Sequence, residues 1–156
     1  MKKLWIIIIS MSVVIFATSS AAYRVAAQQS YIGAMPPRNL TVFTLAELVT
    51  GAPAGILHGI AMVESGNSDS AIGDDGISIG RFQINERYHS MRARAWGEYD
   101  PHNPSEAAII AGHIFMDNLK QLGSIDLALC AYRQGIGGVL KNGPGMWYAE
   151  RVRAKS

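Results

Sequence analysis

The apolar positions along this chain change their spacing several times, and each change marks an element. Leu4 to Ile9 is apolar without interruption, and small or apolar residues continue through Ala17. Tyr23–Leu40 shows no period and carries Met35-Pro36-Pro37-Arg38-Asn39, as a linker or irregular N-terminal arm would. Thr44-x-x-Glu47 has the form of a capping box, which predicts a short helix starting there and stopping at Gly51. Pro53 suits the first position of a second helix running to Glu64. On that helix Ile56, Leu57, Ile60, Ala61 and Glu64 share one face, so the carboxylate points the same way as the apolar residues.

From Gly66 to Gln83 the helical period is lost. Glycines at 66, 73, 76 and 80 are interspersed with Asp69, Asp74 and Asp75, which predicts a loop and a hairpin of two or three short strands. Glu86–Tyr99 is mixed, and Arg87, Arg92 and Arg94 are expected on a solvated or substrate-facing surface. Asn103-Pro104-Ser105-Glu106 then starts a helix with a cap, a proline at its first position and an acid at its third. Its stripe of Ala107, Ala108, Ala111, Ile114, Phe115, Leu119 and Leu122 ends at Gly123. Ser124 caps a helix over Ile125–Gln134 that is apolar on nearly all sides, hence central, and Gly135-Ile136-Gly137-Gly138 should break it. A last helix around Trp147–Arg153 puts Tyr148 and Val152 on one face. The pattern is that of a small α+β domain, mainly α-helical, with one β-hairpin.

Composition changes this picture at the N-terminus. Lys2-Lys3, the apolar run and the small residues Ser20-Ala21-Ala22 read as a secretory signal, with cleavage expected after Ala22. The alternative is an uncleaved anchor, since Leu4 to Ala22 approaches the ~20 residues that span a bilayer. Residues 23–43 would then be the arm and 44–156 the folded domain. The formal net charge is +2, and removal of Lys2 and Lys3 leaves basic and acidic residues in balance. A balanced surface argues against a general nucleic-acid binder. The single cysteine, Cys130, lies among Leu129, Ala131 and Tyr132 and is expected to be a small buried hydrophobe.

The candidate chemistry centres on Glu64. A carboxyl on an apolar helix face is disfavoured as the anion, so it keeps its proton to higher pH and can serve as a general acid. Asp74 and Asp75 sit in the hairpin, where a second acid would permit hydrolysis, although Asp-Asp-Gly is also the composition of a tight turn. Gly76-Ile77-Ser78-Ile79-Gly80 fits the nucleophile-elbow spacing, but no βαβ pattern surrounds it. The histidines at 58, 89, 102 and 113 lack ligand spacing, so neither a metal nor another cofactor is expected, and His58 is expected on the outer helix face.

Four motifs occur in order over about residues 44–153: Glu64-Ser65-Gly66, Ser78-x-Gly80-x-x-Gln83-Ile84, Ala131-Tyr132-Arg133-Gln134-Gly135 and Tyr148-Ala149-Glu150-Arg151-Val152. Together they resemble the soluble lytic transglycosylase family, whose lysozyme-like domain carries Glu-Ser, Gly-Leu-Met-Gln, Ala-Tyr-Asn-x-Gly and Tyr-x-x-x-Val. The resemblance implies a lysozyme-like fold and a peptidoglycan lyase with Glu64 as its single acid/base. Ser65, Ser78, Gly80, Gln83, Tyr132, Arg133, Gln134 and Tyr148 would be its substrate-binding residues. It also implies an exported protein acting on glycan strands, for wall turnover or for a secretion, pilus or flagellar assembly. Two positions depart from the pattern: Arg81 stands where the family has an apolar residue, and Arg133 where it has Asn. The alternatives are a muramidase using Glu64 with Asp74 or Asp75, and a non-catalytic glycan-binding protein of the same fold.

Overall fold

Polar side chains and glycines set where the helices begin and end. The computed structural model describes residues 40–85, 87, 89 and 100–156. The expected signal, the arm as far as residue 39, and Arg92 and Arg94 lie outside the described residues. Arg87 is exposed. Helix α1 spans Val42–Thr50, and its N-cap is Thr41, whose hydroxyl accepts the Thr44 N–H at 3.2 Å. The helix thus starts ahead of the expected Thr44, and the capping box is not formed. Glu47 is instead buried, and its Oε1 accepts the Leu57 N–H at 3.1 Å. It caps the following helix rather than its own.

That next helix, α2, spans Ile56–Ser65 and has Gly55 as its N-cap, which offers no side chain to the free N–H groups of the first turn. Glu47 supplies the missing acceptor from the neighbouring helix. Pro53 is not the first helical residue, as its position suggested; its carbonyl accepts the Ile56 N–H in the turn before α2. The hairpin region forms a three-stranded antiparallel sheet in the order β1 (Ile72–Gly73), β2 (Ser78–Ile79) and β3 (Ile84–Asn85). Gly73 pairs with Ser78, and Ile79 with Ile84. Asp74–Gly76 make the tight turn between β1 and β2.

Helix α3 spans Pro104–Leu122, with the Asn103 side chain accepting from the Ser105 and Glu106 N–H groups as its sequence predicts. Helix α4 spans Ile125–Asn142 and runs past the expected stop. Only Gly135 leaves helical geometry (φ 73°, ψ 158°), so the glycine cluster gives a kink and not an end. That backbone conformation is open to glycine and strained for other residues. Helix α5 spans Met146–Arg153.

The core gathers Leu57 and Ile60 of α2, Phe82 and Ile84 of the hairpin region, Phe115 of α3, Leu129 of α4, and Tyr148 and Val152 of α5. Each large apolar side chain removed from water in this way stabilises the fold by about 1.5–3 kcal/mol. Helix α3 packs on α1 and α4, and α5 packs on both α4 and α2. At the α2–α5 crossing a Cβ on Gly59 would stand 2.5 Å from the Val152 carbonyl oxygen. The missing side chain lets α5 approach closely enough for Tyr148 to reach the end of α2. The result is the mainly helical α+β arrangement expected, with the small sheet beside the helix that carries Glu64. Cys130 is buried as expected, and burial pushes its thiol pKa up. His58 is half-buried, and its Nδ1–H donates to the Lys155 carbonyl at 2.8 Å.

Candidate active site

Glu64 sits in the last turn of α2, which stops at Gly66. Ser65 beside it does not face the cavity. Its hydroxyl donates to the Arg81 carbonyl at 2.8 Å and accepts the Ser68 N–H at 3.0 Å, tying the end of α2 to the hairpin. This contact fixes how the helix presents its carboxylate to the sheet.

A cavity of about 690 Å³ opens over Glu64. The hairpin contributes Asp74, Ser78 and Gln83 to its wall, and α4 contributes Tyr132, Arg133 and Gln134 just ahead of and at the kink. Five of the residues expected to bind substrate therefore meet around the carboxylate, although they come from segments far apart in sequence. Tyr148 joins them from behind: its phenol is buried and donates to Glu64 Oε1 at 2.5 Å. Asn85, Ile114, Asn118 and Ile136 also line the cavity and were not anticipated. Of these, Asn118 left a trace in the sequence, as a buried amide within the apolar stripe of α3.

Several of these side chains are themselves held in place. The Ser78 hydroxyl donates to Asp74 Oδ2 at 2.6 Å. Gln83 Nε2 donates to the Gly80 carbonyl at 2.9 Å and the Ala71 carbonyl at 3.3 Å, pinning the turn before β3. The Tyr132 hydroxyl donates to the Phe82 carbonyl at 3.1 Å, and Gln134 Nε2 to the Gly143 carbonyl at 2.9 Å. Gly80 is buried behind the wall, away from the cavity. Its φ of 74° and the Pro101 carbonyl packed against its Cα both exclude a side chain. The Gly-x-Ser-x-Gly stretch lies on a two-residue antiparallel strand, with none of the strand-to-helix geometry of a nucleophile elbow.

The charge at Arg81 is absorbed locally. Its guanidinium makes a two-point ion pair with Asp69, at 2.5 and 2.7 Å, and lies over the Phe43 ring at 5.4 Å from the centroid. The hydrogen bonds from Arg81 hold the Asp69 carboxyl below the ordinary carboxylate range. The charge at this position thus carries its partner with it, and Phe82 beside it remains fully buried.

Electrostatics single out Glu64. Burial pushes its pKa above the usual value, the Tyr148 hydrogen bond and the Arg133 charge pull it back, and Asp74 adds to the rise. The Tyr148 phenol is pushed far up, first by its own burial and then by the adjacent carboxyl, so it stays a donor throughout the accessible pH range. A carboxyl with a raised pKa, a fixed donor on one oxygen and an open cavity before it is equipped for proton transfer. Asp75 is exposed at the turn and is not part of the cavity wall. Among the described residues no three His, Cys, Asp or Glu side chains are grouped to hold a metal ion.

A known family matches this chain. The transglycosylase SLT domain matches residues 42–145, two-thirds of the chain. The protein belongs to the SLT transglycosylase family. No curated protein and no solved structure gives a significant match. The match begins at the start of α1 and takes in α2, the sheet, α3 and the kinked α4. Membership identifies a peptidoglycan-acting domain of the lytic transglycosylase type. Among the described residues of this SLT domain, no helix is long and apolar enough to cross a membrane.

Proposed function

We propose that this SLT-family protein is an exported peptidoglycan lytic transglycosylase with Glu64 as its single general acid/base. The observation that carries the reading is the half-buried Glu64 carboxyl, hydrogen-bonded by Tyr148 and with its pKa raised by desolvation, in the lining of a cavity of about 690 Å³. Because the Tyr148 hydroxyl donates to Oε1, Oε2 is the oxygen left to carry the transferable proton. Glu64 gives this proton to the oxygen joining N-acetylmuramic acid to N-acetylglucosamine as the bond to C1 breaks. The carboxylate so formed is stabilised by the Tyr148 hydroxyl and by Arg133. It then takes the proton of the muramic 6-hydroxyl as that oxygen closes onto C1. The product is a 1,6-anhydro sugar, no water is consumed, and Glu64 ends as it began. Ser78, Gln83, Tyr132, Arg133 and Gln134 would line the bound strand, while Ser65 and Gly80 would support the wall from behind.

Hydrolysis is the second reading, favoured by one observation. Asp74 faces the same cavity and acts electrostatically on Glu64. An inverting pair needs carboxyl groups about 6.5–9.5 Å apart with a water between them. In this protein the Asp74 carboxylate is engaged by Ser78, as a turn-stabilising acid would be.

The test is incubation of residues 23–156 with purified peptidoglycan, with released muropeptides read by mass beside a Glu64→Gln variant. Products lighter by one water than the hydrolysed fragments, from the native protein alone, would establish the lyase. Reducing-end products would favour hydrolysis and direct attention to Asp74. No product on any wall type would leave a non-catalytic glycan-binding domain.

A further inference from the structure

We propose that Arg133 and Arg151, gathered on the exposed Trp147 ring beside the cavity, form a subsite for a carboxylate carried on the muramic-acid side of the glycan strand. This inference rests on the proposed peptidoglycan-cleaving function and names a feature of the substrate that the protein would select. The Arg133 guanidinium lies 5.0 Å from the Trp147 ring centroid and that of Arg151 lies 5.9 Å from it. The indole meets the Tyr148 ring edge-on at 5.9 Å, and Tyr148 in turn holds Glu64. The cationic pair is therefore two side-chain contacts from the reacting carboxyl, and Arg133 lies in the cavity wall itself.

Each guanidinium lies within 5.9 Å of one ring centroid, so their separation is on the order of a Debye length, ~10 Å in dilute salt. The other arginines with ion pairs among the described residues, Arg81 and Arg153, have Asp69 and Asp126 as partners. Arg133 and Arg151 make no ion pair among the described residues. A planar guanidinium presented by an aromatic face is pre-organised to take a carboxylate at two points. Arg133 also acts on Glu64, whose pKa its charge lowers against the rise from burial. Peptidoglycan offers two sources of the anion that Arg133 and Arg151 would take: the carboxylates of the peptide stem, and the lactyl carboxylate exposed when the stem has been removed.

The experiment uses full-length protein carrying Glu64→Gln, with binding followed calorimetrically. Soluble stem-bearing strands and amidase-stripped strands are each compared with the same material after chemical amidation of its carboxylates. Amidation is expected to weaken binding about five- to tenfold in dilute salt, as for a charge-assisted contact near the surface. Arg133→Asn should give the same loss on native strands and no further loss on amidated ones. Arg151→Gln should give a smaller loss in the same direction. In protein with Glu64 restored, Arg133→Asn should raise KM on native strands and leave KM on amidated strands unchanged, apart from any change in kcat through the Glu64 carboxylate. Dependence confined to stem-bearing strands assigns the stem, and dependence confined to stripped strands assigns the lactyl group. If Arg133→Asn weakens native and amidated strands alike, or neither, the subsite is refuted while the lyase can still be read from its anhydro products. If those products are absent but carboxylate-dependent binding persists, the cleavage reading falls and the subsite stands.

Discussion

Tyr148→Phe is the substitution that most directly probes the proton chemistry. The Tyr148 ring is 1% exposed, and its hydroxyl donates to Glu64 Oε1 at 2.5 Å. Phenylalanine keeps the ring against Trp147 and the core and removes one oxygen. When Glu64 surrenders its proton, the carboxylate left behind sits in a largely desolvated site, and this phenol is its closest donor. A hydrogen bond to a charged group is worth about 1.5–3 kcal/mol. At ~1.36 kcal/mol per tenfold in rate, its loss should lower kcat by about 10- to 100-fold. The pH dependence gives an independent check. The hydrogen bond favours the ionised carboxyl, so removing it raises the Glu64 pKa further. Activity is lost on the alkaline side as Glu64 ionises, and that limb should move to higher pH in the variant. Initial rates of anhydro-product formation across pH, with a thermal melt to confirm folding, measure both quantities. A rate within twofold of native with an unmoved alkaline limb would show that Tyr148 only packs, and the account of the acid would fail.

Three further outcomes follow from the same geometry. Glu64→Gln should abolish cleavage yet stabilise the fold at neutral pH. The folded-state pKa of Glu64 lies above 4.5, so the folded protein binds this proton more tightly than the unfolded chain. The resulting stability is present below the ordinary carboxyl range and is lost as pH rises towards the folded value, by ~1.4 kcal/mol per unit of displacement. Melts at acid and neutral pH should therefore show the advantage of the variant growing with pH, and a constant difference would contradict the assignment. Glu47→Ala should cost about 1–2 kcal/mol in urea unfolding, because it strips the cap from the Leu57 N–H; a change under 0.5 kcal/mol would mean that water serves as well. Gly80→Ala should cost at least ~1–3 kcal/mol, since it combines a positive φ with a clash against the Pro101 carbonyl; native-like unfolding would show that the turn can shift freely.

Much of the scaffold was legible in the sequence because it is written in local chemistry. Asn103-Pro104, Ser124 and the glycines at 51 and 123 act on backbone groups within a few residues of themselves, and the structure uses each as its position predicts. The apolar stripe of α3 and the inward placement of Glu64 follow from a period of 3.6 residues, and Asp74–Gly76 is the turn its composition suggests. Local reading failed where a partner lies in another element. Glu47 matches a capping box in sequence, yet its carboxylate is spent on the next helix, whose own glycine cap has no side chain. The contact of His58 with the Lys155 carbonyl likewise joins two elements and left no local signal.

For the site, sequence order determined which residue types were on hand: an acid closing an apolar helix, a glycine-punctuated hairpin, and two tyrosines in the last third of the chain. Tertiary packing alone decided which of them meet. It brought Tyr148 onto Glu64 across the close α2–α5 crossing and set Ser65 and Gly80 behind the wall. It also gave Arg81 an acid partner while leaving Arg133 to Trp147 and the cavity. A spacing along the chain fixes the direction of a side chain only within its own element. Burial, the resulting pKa of a carboxyl, and the choice between two partners depend on what the rest of the fold places within a few ångströms.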